Sequence, residues 1–238
     1  MTGALLNTAT VLVGGTLGLL LGPKLPERTQ RVAMRLLGCV TLAIGGKMTF
    51  DACKTFGVRE FIFLLVALAA GIAVGSLLRI QFRIEQFAQR LLKRFSAPNK
   101  PNKPSRVAEG WVSTGLLFCV GPMTIIGSLQ DGLTGDYKLI AMKAMLDGVA
   151  SVGFAATFGW GVLLSALSVL IVQGSITLGA NAVGGFFSDA VLAQIGAAGG
   201  VLVICIGLTL TGIKKLPVAD YLPALVLSPV LSWVLSHP

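Results

Sequence analysis

Apolar runs of a length suited to crossing a bilayer recur from Gly3 to Leu235, separated by short basic or glycine-rich stretches. A hydrocarbon core of about 30 Å takes roughly 20 apolar residues to cross, so these runs predict transmembrane helices. About eight are expected, near residues 3–22, 36–50, 61–79, 107–127, 139–158, 159–173, 191–212 and 219–235. The expected fold class is all-α, a polytopic transmembrane helix bundle.

Interruptions in the pattern carry further expectations. The fourth run is broken by Gly121-Pro122 and Gly127 and ends at two acids, Asp131 and Asp136. Pro122 lacks an amide donor and disfavours helix just before it, while Gly127, Gly132 and Gly135 permit positive φ, so this helix should kink and then end early. The sixth run, Trp160 to Gln173, leads into Gly174–Gly185, which is too polar for an ordinary span. A broken or re-entrant helix is expected there, with Gln173 at its broken end.

Residues 80–95 follow a different pattern, with Ile80, Ile84, Phe87, Leu91 and Phe95 on one helical face and arginines opposite. This predicts an amphipathic cytoplasmic helix that lies among anionic headgroups or packs on a partner subunit. The expected organisation is a first membrane half over 1–95 (helices 1–3 plus the amphipathic helix), a Pro-rich basic linker over 96–106, and a second half over 107–238 (helices 4–8). Gly38–Thr49 and Gly200–Thr211 share two glycines at equal spacing, Ile44/Ile206 and Thr49/Thr211, and a further apolar helix follows each. The match points to an inverted-topology repeat, an arrangement common in secondary transporters.

Composition strengthens the membrane reading: of 238 residues 54% are hydrophobic and 12% charged, whereas soluble domains carry about twice that charge. A net charge of +9 would suggest nucleic acid in a soluble protein, but here the basic residues cluster between apolar runs. No nucleic-acid partner is expected. Lys24, Arg28, Arg31 and Arg35, eight residues from Arg79 to Arg106, and Lys214-Lys215 make fourteen that should face the cytoplasm. The other loops hold only Lys47, Lys54, Arg59 and Lys138, which places both termini and the 130–138 loop outside. The first run has no Lys or Arg before Lys24, so it reads as a retained helix and not a cleaved signal.

Ionisable side chains inside the membrane are costly and mark sites, which singles out Lys143 and Asp147 in the fifth run. Asp136 is placed to cap that helix, and about eleven residues at roughly 1.5 Å each then bring Asp147 about 16 Å deep, near the midplane. Spacing of i, i+4 lets Lys143 meet Asp147, and Ser151 continues the same face. With Asn7 on the first helix and Gln173, these form a candidate substrate or ion site, and Asp131 and Asp136 form an entrance loop that concentrates cations. The same residues also fit a structural ion pair with a solvated, capping loop. Two functions follow. One is a transporter of a small solute or ion, and the other is a membrane scaffold or regulatory subunit acting through the basic region 79–106.

Catalysis is not expected. There is no Gly-x-Ser-x-Gly, His-Glu-x-x-His or Walker sequence, and the sole histidine is His237. Cys39, Cys53, Cys119 and Cys205 have no ligand spacing, so neither metal, disulfide nor cofactor is indicated. Gly14, Gly18 and Gly22, and Ala67, Gly71 and Gly75, leave smooth helix faces for close contact, either within one chain or between copies in a homo-oligomer.

Four motifs together carry a resemblance: Gly3-Ala-Leu-Leu-Asn7, Leu25-Pro-Glu-Arg28, Gln130-Asp-Gly-Leu-Thr-Gly-Asp136 followed by Lys143 and Asp147, and Leu222-Pro-Ala-Leu225. The chain resembles the YqgA/YdfK-like family of bacterial inner-membrane proteins, domain of unknown function 554. The resemblance implies a multi-pass protein of the bacterial inner membrane. It brings no activity or ligand with it.

Overall fold

The structure, a computed structural model, describes residues 1–24, 26–95, 104–183, 185 and 187–236. Leu25 of the first-loop motif, most of the 96–106 linker and His237 lie outside these residues. The regular elements are helices: α1 (Thr2–Leu21), α2 (Glu27–Cys53), α3 (Val58–Leu77), α4 (Ile80–Phe95), α5 (Pro104–Cys119), α6 (Pro122–Leu133), α7 (Lys138–Phe158), α8 (Gly161–Val183), α9 (Asp189–Thr211) and α10 (Leu222–Ser236). Six of them (α1, α2, α3, α7, α8 and α9) are long and apolar enough to cross a membrane. The pair α5–α6 would make a seventh span, bent by 61° between Cys119 and Met123, and the apolar helix over Val218–Trp233 is shorter.

The bend follows from the residues expected to cause it. Gly121 adopts φ 146°, a conformation open to glycine, and Pro122 begins α6 where a missing amide donor costs nothing. Two boundaries differ from the hydropathy reading. Helix α2 starts at Glu27, well before residue 36, because the Arg and Met residues ahead of the apolar run are strong helix formers, although that stretch is too polar in sum for hydropathy to count it in the span. Helix α5 starts at Pro104, inside the expected linker, with proline again in the first turn.

A third difference is a correction: no broken or re-entrant helix follows Gln173, since α8 runs unbroken from Gly161 to Val183. The polar residues that suggested a break are bonded within the helix or buried against its neighbours. Ser175 returns its hydroxyl to the Val172 carbonyl at 2.9 Å, and Gln173 and Thr177 are buried. Packing thus holds a sequence whose polarity alone disfavours a span.

The helices group into two compact units, and each draws on both sides of residues 96–106. The first contains Met1–Leu37, Phe82–Cys119 and Met123–Asn181. Here α1 and α7 run parallel, with Gly14 against the Gly148 backbone, Gly18 against Val152 and Ala155, and Gly22 against Ala156, so each step along one helix matches a step along the other. Helix α7 is apolar on the wrong side for a soluble protein. Met142, Met145, Leu146 and Val149 face outward, while Lys143, Asp147 and Ser151 face inward, as expected when the surrounding solvent is lipid.

The second unit contains Gly38–Gln81, Val120–Pro122 and Ala182–Pro238. Its helices α2 and α9 run antiparallel, and the two copies of the sequence repeat pack against each other end to end: a Cβ on Gly38 would meet Thr211, one on Gly200 would meet Thr49, and Gly45 and Gly207 face Ile204 and Leu42. Helices α3 and α10 also pack together, through Gly71 against Ala224 and Gly75 against the Asp220 backbone. The glycines of the two small-residue faces, on α1 and α3, are therefore in contact within one chain. At the end of α3, Arg79 adopts φ 50° and Gln81 locks onto the turn before α10, its amide donating to Asp220 at 2.7 Å and its side-chain oxygen accepting from Ala219 at 2.8 Å.

The orientation expected from charge predicts a labelling result. In a cysteine-free background, Thr134→Cys in the exposed turn before α7 should react with an impermeant maleimide added to intact cells, and Lys214→Cys should react only after permeabilisation. The reverse pattern would invert the topology.

Candidate functional site

Asp147 lies on the inward face of α7 and accepts hydrogen bonds at one carboxylate oxygen from two donors. Asn7 Nδ2 on α1 donates to Asp147 Oδ2 at 2.9 Å, and Lys143 Nζ, one turn earlier on α7, donates to the same oxygen as an ion pair. All three residues are buried. Lys143 Nζ also stands 5.9 Å from the ring centroid of Phe118 on α5, a cation–π contact beside the ion pair. Phe118 is in turn held edge-on by Phe154, with ring centroids 6.3 Å apart.

The sequence spacing fulfils part of what was expected of this face. Lys143 meets Asp147 as i, i+4 geometry requires. Ser151 does not reach the carboxylate, because its hydroxyl donates to the Asp147 backbone carbonyl at 2.7 Å. Asn7 joins from a helix that is distant in sequence, through the parallel packing of α1 on α7.

The two acids assigned to an entrance loop are placed differently from each other. Asp136 is exposed in the turn before α7, and its Oδ1 accepts the Lys138 amide at 3.1 Å, satisfying a donor at the start of that helix. Asp131 belongs to α6 and not to a loop; it is buried and accepts the Gly3 amide at 3.0 Å, with the Met1 amino group 3.0 Å from the same oxygen. A negative charge there meets the positive end of the α1 dipole. Asp131 thus ties α6 to the start of α1.

Gln173 sits in mid-helix on α8, fully buried, and neither its Oε1 nor its Nε2 has a hydrogen-bond partner among the described residues. The same holds for Asn7 Oδ1, Ser128 Oγ on α6 and Thr177 Oγ1 on α8. Buried polar atoms are normally paired, and leaving one unpaired costs about 1–3 kcal/mol. Ser128, Thr177 and Phe118 were not among the site residues expected from the sequence, and Ser128, at the start of the segment expected outside, lies buried in α6. Thr177 could have been, since it lies one helical turn from Gln173, but a lone hydroxyl residue in an apolar helix usually bonds its own backbone.

The second unit holds a cavity of about 620 Å³ between α2, α3 and α9, with Lys47, Asp51, Glu60 and Asp189 at its polar margin. Asp51 is occupied by Lys47 at 2.5 Å and Lys54 at 2.8 Å, and Glu60 accepts the Gly57 amide at 2.9 Å. Asp51 and Glu60 therefore serve local structure, and Asp189 lies in the first turn of α9. Among the described residues no three His, Cys, Asp or Glu side chains come together in a metal-binding group.

Comparison with known proteins agrees with a membrane protein of apolar helices. The chain is 30% identical over 235 residues to the uncharacterized membrane protein YdfK of Bacillus subtilis (strain 168), covering 99% of this chain and 97% of that one. It is 28% identical over 230 residues to the uncharacterized protein YqgA of Escherichia coli (strain K12), covering 97% and 95%. No solved structure matches it. Residues 2–233 match the family described as protein of unknown function DUF554, and the chain, a multi-helix membrane protein, belongs to that family.

Proposed function

We propose that this protein moves a small solute or ion across the membrane, along a path that passes the Lys143/Asp147/Asn7 cluster beside the break between α5 and α6. The observation that carries the reading is a charged pair buried on the inward face of an apolar helix and bonded by a buried amide from α1, in a unit where the side-chain atoms Asn7 Oδ1, Ser128 Oγ, Gln173 Oε1 and Nε2 and Thr177 Oγ1 are buried without partners. Ionisable groups held at such cost mark paths and sites in membrane proteins. A bent helix pair is tolerated at membrane depth where it borders protein or a cavity. In this reading the protein resides in the inner membrane, α4 lies against anionic headgroups, and no catalysis is involved.

The scaffold reading is favoured by one observation, the Asn7–Asp147 hydrogen bond across the α1–α7 contact, which would serve assembly equally well. Flux separates the two. Purified protein reconstituted in liposomes should move at least one member of a panel of monovalent ions, amino acids and small polar solutes faster than protein-free vesicles. The same member should raise the thermal midpoint in detergent with the logarithm of its concentration, as a ligand of the native state must. Neither flux nor stabilisation across the panel would leave the scaffold as the function.

A further inference from the structure

We infer that Asn7, Ser128, Gln173 and Thr177 form a binding layer for a small uncharged molecule that both donates and accepts hydrogen bonds, such as a polyol or an amide. The inference rests on the transport reading and names the substrate class of the same unit.

The helices bring these residues to two adjacent levels, Thr177 one turn from the other three. Contacts of Val107 with Gly161, Gly115 with Ser168, and Gly132 with Thr177 advance together along both chain segments, so α5–α6 and α8 run parallel. Gly132 on α6 stands against the Thr177 carbonyl and Ala180 on α8. One turn earlier on each helix, on the same faces, come Ser128 and Gln173, which therefore oppose each other. Gly3 of α1 meets Asp131 of α6 and Ile140 of α7. One turn deeper than Gly3 is Asn7, and one turn deeper than Asp131 is Ser128, so Asn7 reaches the level of Ser128 and Gln173. A Cβ on Gly174 of α8 would lie 3.6 Å from the Met1 side chain just before α1, which puts the start of α1 beside α8.

The orphaned atoms specify the chemistry of an occupant. Asn7 Oδ1 and Gln173 Oε1 require donors, Gln173 Nε2 requires acceptors, and the hydroxyls of Ser128 and Thr177 supply a proton each and accept in return. Exchanging the two Gln173 amide atoms leaves this inventory unchanged, since neither has a partner. A cation would satisfy the oxygens but confront the amide hydrogens of Gln173. An anion would do the reverse. The charges near this level are also already matched, Lys143 with Asp147 and Asp131 with the amide end of α1, so an added ion would remain an uncompensated charge in an apolar interior. A neutral molecule with donors and acceptors meets both requirements.

Osmotic shrinkage and reswelling of proteoliposomes in sub-molar glycerol or urea tests this. Parent vesicles should reswell several-fold faster than protein-free vesicles, and Thr177→Val and Gln173→Leu should fall to the protein-free rate. Both variants should keep or raise the thermal midpoint, because an apolar replacement removes an unpaired polar group; a purely structural role would lower it. Ser128→Ala supplies a third variant of minimal volume change should Gln173→Leu fail to fold. Vesicles that pass water but not glycerol or urea would show a layer holding water only and overturn the inference. Vesicles that take up labelled sodium or glutamate but neither neutral solute would overturn it while leaving transport standing; vesicles that pass nothing would sink both. Unchanged glycerol and urea flux in all three variants would remove the site from these residues.

Discussion

Asp147→Leu alone should reduce stability by about 3–5 kcal/mol, because it strands the Lys143 ammonium in an apolar interior. Lys143 and Asp147 are both buried, and the other groups near the ammonium, the Phe118 ring above all, cannot replace a carboxylate. The measurement is folded yield and thermal midpoint after detergent extraction. The double variant Lys143→Met with Asp147→Leu should recover the fold, since apolar replacement of a whole buried pair is often neutral or stabilising. What the double variant does to flux then separates the two functional readings. Under the transport reading it folds and assembles but moves nothing; under the scaffold reading it behaves as the parent. Recovery of the fold with full flux would remove the pair from the transport path. A double variant that stays as unstable as Asp147→Leu would show that Asn7 and Phe118 depend on the pair for packing.

Gly14→Ala should be nearly as damaging. A Cβ at Gly14 would overlap the Gly148 carbonyl, and that obstacle is backbone, which cannot rotate away as a side chain does. Overpacking of this kind costs about 1–3 kcal/mol or more, and here it would also separate α1 from α7 and so lengthen the Asn7–Asp147 hydrogen bond. Gly179→Ala on α8 makes the matched control, since nothing lies within 4 Å of the added methyl. It should instead gain about 0.5–1 kcal/mol from helix propensity. Equal thermal midpoints for the two variants would contradict the α1–α7 contact as described.

The membrane class, the helical architecture and the bend after Cys119 were legible in the sequence because each depends on local or one-dimensional quantities. Hydropathy summed over about 20 residues decides whether a helix prefers lipid, and Gly121-Pro122 acts on its own backbone. Spacing alone paired Lys143 with Asp147, because i, i+4 contact is a property of the helix and not of its neighbours.

Other features depended on partners remote in the chain. Polarity around Gln173 suggested a broken helix, yet α8 is continuous because neighbouring helices and its own carbonyls enclose those groups. Asp131 looked like a loop acid until α6 carried it to the Gly3 amide, 128 positions away. The Gly38/Gly200 match was visible as a repeat, but only antiparallel packing of α2 on α9 revealed that the start of each copy touches the end of the other. Ser128 and Thr177 had no distinguishing sequence signal, since a hydroxyl in an apolar helix gains meaning only from what it faces. Sequence by itself determined which segments prefer lipid and where the backbone must bend. Tertiary structure decided which polar groups meet and which are left unpaired, because pairing is set by the approach of helices whose contacts no local pattern encodes.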